Sequence, residues 1–226
     1  MAILNFSSGI FLWLALTCGI CFAKNKLTGN ISVSLLIFFN NLNIFIAICE
    51  IQLHRHIDLI RREYQILQDK YGGGNEFEAC VNLLSMSMTP RQLFDGRIWA
   101  LMWSTYALFD PSYQNPESFG FFIDVGNGYT TILPCVIVNA SILFPQAFSS
   151  LFVGCVAIAS YWQMLYGTLV YFLSFLHNER QKKMDVLQFV LFVGITNMVW
   201  IIFPALGIWM AIHILNDGNF SVFDPR

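Results

Sequence analysis

Long apolar stretches alternate with polar segments along the 226-residue chain. An apolar stretch of about 20 residues matches the thickness of the hydrocarbon core of a bilayer when it is helical. Five such stretches cover residues 6–23, 31–49, 129–148, 148–176 and 186–215. The pattern predicts an all-α membrane protein, in which residues 1–226 form a single membrane domain built as a five-transmembrane-helix bundle.

The segments between these stretches differ from one another. Residues 52–96 are polar, which predicts an excursion outside the membrane. The helical spacing of its first part predicts a helix that either continues helix two into water or lies on the membrane surface. Residues 97–122 are apolar and aromatic, but their apolar core is too short to span, which predicts an interfacial or re-entrant segment. Because basic residues favour the cytoplasmic side of a membrane, the N-terminus and this polar excursion are predicted to be cytoplasmic and Arg226 to lie on the far side.

Composition also indicates a membrane protein and excludes some classes of function. Apolar residues make up 56% of the chain, charged residues 12%, and 22 residues are Phe, more than an ordinary soluble core holds. With 12 basic and 14 acidic side chains and no basic stripe, the chain is not expected to bind nucleic acid. Cys18 and Cys21 have the spacing of half a zinc site, but no second pair completes it, so no metal is expected.

Two carboxylates at the edges of apolar stretches are the first candidates for chemistry, because a charge at membrane depth costs several kcal/mol unless it is paired or hydrated. Glu50 closes the second stretch, and Asp124 precedes the third. Each could simply cap a helix or pair with an arginine in interfacial water. Together they also fit an acid and a base that face one cavity.

Two further groups of side chains could line such a cavity. Asn197, Trp200 and Pro204 share one face of the last helix, an arrangement that fits either a polar-aromatic pocket or helix packing. The 97–122 segment carries a dense aromatic run around a further carboxylate, Asp110, which fits either an aromatic belt at the headgroups or an acidic-aromatic cage. The run consists of Trp99, Trp103, Tyr106, Phe109, Tyr113, Phe119, Phe121 and Phe122.

These motifs resemble the emopamil-binding protein family of sterol 8,7-isomerases, the EXPERA domain group. The family pattern is Trp-x2-Tyr-Ala-x2-Asp-x2-Tyr, then a Phe, then an acidic residue fourteen positions after the Asp. The matching residues are Trp103, Tyr106, Ala107, Asp110, Tyr113, Phe119, Asp124 and Pro134. Later matches are Tyr166-Gly167, Tyr171-Phe172, Asn197, Trp200 and Pro204, so the resemblance covers roughly residues 40–215 in the same order.

The resemblance implies an intramembrane isomerase that needs no cofactor. In the family, one acid protonates a ring double bond and a second carboxylate removes a proton from the adjacent carbon. By matching position, Glu50 and Asp124 are the catalytic candidates. The residues expected to bind substrate or stabilise the cation are Tyr106, Asp110, Tyr113, Asn197 and Trp200. The expected partners are a sterol or related isoprenoid and the lipid bilayer, the expected location is the endoplasmic reticulum, and the chain could form a homodimer.

The chain also departs from the family pattern. Ile46 stands where the family has a histidine four residues before its glutamate, and Asn43 is the only polar residue left on that side to support Glu50. Asp124 replaces a glutamate, and Gly126-Asn127-Gly128 replaces a threonine-containing helix start. These changes leave two alternatives to sterol isomerisation open: a membrane cyclase or epoxide isomerase acting on a triterpenoid or meroterpenoid, and a non-catalytic sterol- or lipid-binding protein.

Overall fold

Helices dominate the computed structural model, which describes residues 4–25 and 30–224. A two-stranded antiparallel sheet joins β1 (Leu4–Asn5) to β2 (Ser87–Met88), with Leu4 opposite Met88. The helices are α1 (Phe6–Asn25), α2 (Ile31–Arg55), α3 (Ile57–Tyr71), α4 (Glu76–Ser85), α5 (Gly96–Tyr106), α6 (Phe119–Thr130), α7 (Ile132–Leu143), α8 (Ser150–His177) and α9 (Val186–Asp217). The all-α prediction is confirmed for this part of the chain.

Four of these helices are long and apolar enough to cross a membrane: α1, α2, α8 and α9. The bent pair α6–α7 passes the same test when it is counted as one span, which gives up to five. Leucine, isoleucine and phenylalanine side chains cover much of the outer surface, as expected for helices that face lipid. These properties are compatible with an integral membrane protein.

The third span begins earlier than the sequence pattern indicates. Residues 129–148 were expected to form one helix, but α6 already starts at Phe119, where the Ser118 hydroxyl accepts a hydrogen bond from the Phe121 amide at 3.1 Å. The helix then breaks at Thr131 and bends by 43° into α7. Pro134 explains the break, because it has no N–H to donate to the carbonyl four residues earlier. Asp124 therefore lies inside a helix instead of before one.

The polar excursion folds into two helices at one end of the bundle. His56 separates α2 from the amphipathic helix α3, which continues the chain as the spacing predicts, and α4 follows the Gly72–Gly74 turn. The Phe6 amide bonds to the Met86 carbonyl at 3.0 Å, so the start of α1 and the excursion lie at the same end, as predicted. Lys26 and Arg226, used in assigning the opposite side, lie outside the described residues.

The aromatic segment 97–122 packs into the interior. Asp95 caps α5 by accepting a hydrogen bond from the Arg97 amide, and a short 3₁₀ turn, Pro111–Gln114, links α5 to α6. Trp99, Trp103 and Tyr113 are each at most 8% exposed and join one apolar core with the second half of α2 and the end of α8. A second core lies towards the other end of the bundle, between α2, α7, α8 and α9.

Candidate functional site: an acidic and aromatic cavity

A cavity of about 370 Å³ lies between α2, α5, α6, α8 and α9. Its wall is mostly apolar and aromatic and contains no basic side chain among the lining residues. The lining residues are Leu42, Ile46, Glu50, Met102, Trp103, Tyr106, Tyr113, Ile123, Asp124, Asn127, Thr168, Tyr171, Thr196, Asn197, Val199 and Trp200. Six of the seven site residues expected from the sequence are therefore brought together here, from four separate parts of the chain.

The two carboxylates line the same cavity from neighbouring helices. Glu50 on α2 is 5% exposed and lies close enough to Asp124 on α6 for the two charges to interact. Tyr113 lines the same cavity as Asp124. The ion pairs formed by the described residues join Arg97 to Asp95, Arg180 to Asp110 and Lys182 to Glu179. Neither cavity carboxylate has a basic partner among them.

Close helix packing brings these carboxylates together. A Cβ placed on Gly128 would lie 2.8 Å from the Cβ of Glu50 and 3.0 Å from the Ala47 carbonyl oxygen. Only a glycine allows α6 to approach α2 this closely at the level of Glu50. Gly128 is therefore the point of contact between the two helices that carry the carboxylates.

An aromatic wall covers the side of the cavity formed by α5 and the 3₁₀ turn. Trp103 stacks on Tyr113 with ring centroids 5.2 Å apart, and Tyr106 meets Tyr113 edge to face at 5.0 Å. The Trp103 indole N–H donates to the Cys49 carbonyl at 2.8 Å, which ties this wall to α2. The Tyr106 hydroxyl donates to the Phe192 carbonyl at 3.0 Å. These bonds fix the rings against two helices, α2 and α9.

The opposite wall comes from α9, where a π-helical segment, Phe189–Ile195, precedes Asn197 and Trp200. Asn197 donates its amide to the Val193 carbonyl at 2.8 Å, and Trp200 donates its indole N–H to Asn43 Oδ1 at 2.9 Å. Asn43 also donates to Thr131 Oγ1 at 3.0 Å. Asn43, the one polar residue that could have supported Glu50, has other partners: its side chain holds Trp200 and the α6–α7 break.

Asp110 is the one expected site residue that does not line the cavity. It is fully buried behind Tyr171, whose hydroxyl donates to it at 2.9 Å. Arg180 donates to both of its carboxylate oxygens, at 3.0 and 3.1 Å. The expectation that Asp110 contacts the substrate is corrected accordingly: its oxygens are taken up by protein donors.

Several lining residues were not among the seven site residues expected from the sequence. Asn127 follows Asp124 by three positions, so helical spacing could have placed both on the same face of α6. Thr168 and Tyr171 have the same spacing on α8, and of these only Tyr171 was part of the resemblance, where it was given no role in the site. No sequence signal pairs Arg180 with Asp110, because they are 70 residues apart.

No metal site accompanies the cavity in the described part of the chain, residues 4–25 and 30–224. Groups of three or more His, Cys, Asp or Glu side chains that could hold an ion are absent there. Cys18 and Cys21, the possible half-site, instead lie beside the Asn41 amide, at 3.7 and 3.9 Å from its nitrogen. Compared with known proteins, the chain matches no family model, no curated protein and no solved structure.

Proposed function

We propose that the protein is an intramembrane double-bond isomerase of a sterol or related isoprenoid. The observation that carries the proposal is that Glu50 and Asp124 line one aromatic cavity that has no basic side chain in its wall. Two carboxyl groups without a cationic partner are suited to proton transfer, since neither is held permanently as the anion of an ion pair. The apolar wall suits a substrate that is itself hydrocarbon.

The reaction moves a double bond by two proton transfers. One carboxylic acid donates its proton to a double-bond carbon, whose π electrons form the new C–H bond and leave a tertiary carbocation on the neighbouring carbon. The second carboxylate removes a proton from the next carbon, and the electrons of that C–H bond form the new double bond. The substrate keeps its composition, so the reaction needs no oxidant, reductant or cofactor.

The cavity wall supplies the stabilisation that the cation needs. The faces of Trp200, Trp103 and the tyrosines carry negative electrostatic potential, and a desolvated cation–π contact is worth about 2 kcal/mol. Water must be kept away, because it would add to the cation and give an alcohol. The surrounding apolar helices provide that exclusion.

In this proposal the bent pair α6–α7 is the third of five spans, and the cavity lies inside the bilayer. A sterol or isoprenoid made in the endoplasmic reticulum would then reach the site without leaving the membrane. Most of the basic residues lie in the 52–96 excursion and in the Arg180–Lys183 turn, and a bond from Gln188 to Glu76 at 3.0 Å brings these segments to the same end of the bundle, which supports a cytoplasmic location for that end.

Conversion of a sterol in cells tests the proposal directly. The protein is expressed in a eukaryotic host that lacks its own 8,7-isomerase, and sterols and triterpenoids are analysed by gas chromatography and mass spectrometry. We expect the shifted double-bond isomer with the intact chain, and a loss of about 10²- to 10⁴-fold with Glu50→Gln or Asp124→Asn. Glu117→Gln, which removes an exposed carboxylate just before α6, is the matched control and should retain activity. Full activity in either cavity variant would contradict the proposal.

One observation favours a second candidate, an acid-initiated cyclase or epoxide isomerase. Ile46 lines the cavity one turn from Glu50, so the acid is flanked by an alkyl group where the resembled isomerases have a histidine. Protonation of an epoxide or terminal alkene by Glu50, followed by ring closure along the aromatic wall, would use the same residues. The product separates the two: a new ring in a prenylated substrate supports the cyclase, and an unchanged skeleton with a moved double bond supports the isomerase. Saturable sterol binding without any product would instead indicate a binding protein.

A further inference from the structure

The ion pair between Arg180 and Asp110 lies directly behind the cavity wall. Arg180 is in a 3₁₀ turn, Arg180–Lys183, that follows the end of α8, and its side chain is 18% exposed. Glu179, just before it, has φ of 54°, an unusual left-handed conformation for a residue other than glycine. That turn reverses the chain after α8 and directs Arg180 back towards the bundle. Among the ion pairs of the described residues, the one formed by Arg180 is the one whose carboxylate is fully buried.

Asp110 connects this arginine to the residues that form the wall. One of its oxygens accepts the Tyr171 hydroxyl at 2.9 Å, and the other accepts the Ser112 amide at 3.0 Å. The Ser112 bond caps the 3₁₀ turn that carries Tyr113. Tyr171 and Tyr113 both line the cavity, so a single buried carboxylate holds two of its tyrosines. Its charge also acts on the catalytic candidate Asp124.

Arg180 supplies the positive charge that lets the buried Asp110 carboxylate hold these two tyrosines. A fully buried carboxylate without a cationic partner is strongly disfavoured, and it would take up a proton or draw in water. A protonated Asp110 would offer Tyr171 a poorer acceptor, and water at this position would open a wet path to the cavity. The arginine also balances the negative charge that Asp110 places near Asp124.

We propose that Arg180 is a positioning residue of the cavity: through Asp110 it fixes the Tyr171 hydroxyl and keeps the carboxylate behind the wall neutralised and dry. The consequence for turnover rests on the proposed function, but the effect on Tyr171 is independent of it. Arg180 does not line the cavity. It therefore acts on the cavity wall through the hydrogen bond between Asp110 and Tyr171.

Fluorine NMR of the purified full chain containing 3-fluorotyrosine tests the positional part. The chain has eight tyrosines, and the Tyr171 signal is identified by its loss in Tyr171→Phe. We expect Arg180→Gln to shift or broaden that signal and Arg180→Lys to restore much of it. Lys182→Gln, in the same turn and paired with Glu179 at the surface, is the matched control and should leave it unchanged. An unmoved Tyr171 signal in folded Arg180→Gln would overturn the proposal.

Kinetics test whether the position matters for the reaction. We expect Arg180→Gln to lower kcat by about 10- to 100-fold, because small displacements of positioned groups have effects of this size. In the Tyr171→Phe background the same substitution should change kcat much less, whereas independent effects would multiply and count against the proposal. If Arg180→Gln does not fold, Asp110→Asn/Arg180→Gln removes both charges together, and it should fold while showing the displaced Tyr171 signal. If even the intact chain turns over no substrate, the proposed function fails. The NMR result still decides the role of Arg180 in that case.

Discussion

Gly128 packs directly against Glu50, and the absence of a side chain at that glycine sets the distance between α6 and α2. A Cβ on Gly128 would lie 2.8 Å from the Glu50 Cβ, closer than two such atoms approach. Because Asp124 lies one turn before Gly128 on the same helix, this contact also sets where Asp124 stands relative to Glu50. The geometry of the acidic pair therefore depends on a residue that carries no chemistry.

Gly128→Ala should impair the site more than it impairs the fold. The added methyl group forces α6 away from α2 by a few tenths of an ångström or more, and overpacking of this kind typically costs about 1–3 kcal/mol. We expect a lower melting temperature in detergent and a loss of activity in the sterol conversion assay. Gly126→Ala is the matched control, since a Cβ there meets nothing within 4 Å. It should leave activity intact and stabilise the helix slightly. Equal effects of the two substitutions would contradict the close-contact argument.

Asn43→Leu should loosen Trp200 in the cavity wall. The substitution removes the acceptor of the indole N–H at 2.9 Å and the donor to Thr131 Oγ1. A buried polar group left without a partner costs about 1–3 kcal/mol, which should appear in the free energy of unfolding.

A double-mutant cycle with Trp200→Phe isolates this bond. In the Trp200→Phe background the indole donor is already missing, so Asn43→Leu should cost less than in the wild-type chain. The expected coupling is about 0.5–3 kcal/mol. Strictly additive effects would show that the hydrogen bond contributes nothing to holding the indole.

Turnover in heavy water should place solvent hydrogen in the product. The donor carboxyl loses its proton in each reaction and must be reloaded from water before the next one. We expect each product molecule to carry one deuteron at the protonated carbon, detected by mass spectrometry of the sterol. Glu50→Gln should give no labelled product. An unlabelled product would contradict reloading from water, since it would mean that the proton removed from one carbon is returned to the other inside the closed cavity.

Glu76 should make the stability of the end of the bundle that carries α3 and α4 depend on pH. Partial burial raises the pKa of this carboxyl, but hydrogen bonds from the amides of Glu76, Gly74 and Gly73 and from Gln188 outweigh that effect and lower the pKa below its ordinary value of 4.5. A carboxyl with a lowered pKa in the folded state stabilises that state above about pH 4.5, and the contribution is lost as the pH falls through the folded-state pKa.

Melting temperatures measured between about pH 6 and about pH 3 test this. Glu76→Gln should melt lower than wild type near pH 6, and the two should converge at the acidic end. Glu78→Gln, an exposed residue on the same helix, is the control and should follow the wild-type curve. A constant difference between Glu76→Gln and wild type across this range would contradict the assignment.

Six of the seven site residues expected from the sequence line the cavity, but the sequence did not show what each of them contacts. Glu50 and Asp124 were recognisable because carboxylates are rare beside apolar stretches, and Asn197 and Trp200 because they share a helix face. Asp110 was recognised by the same reasoning, yet its oxygens are occupied by Arg180 and Tyr171. A sequence pattern shows that a carboxylate is out of place but does not show which donors satisfy it.

The sequence by itself determined the apolar helices and approximately where four of them begin and end, because hydrophobic length is a local property and a bilayer requires each helix to satisfy its own backbone hydrogen bonds. Only the tertiary structure decided that α6 starts at Phe119, that Gly128 touches Glu50 and that Asn43 serves Trp200. These relationships join residues up to 157 positions apart. They depend on how closely helices approach and which polar atoms then meet, and neither the period nor the composition of a single segment contains that information.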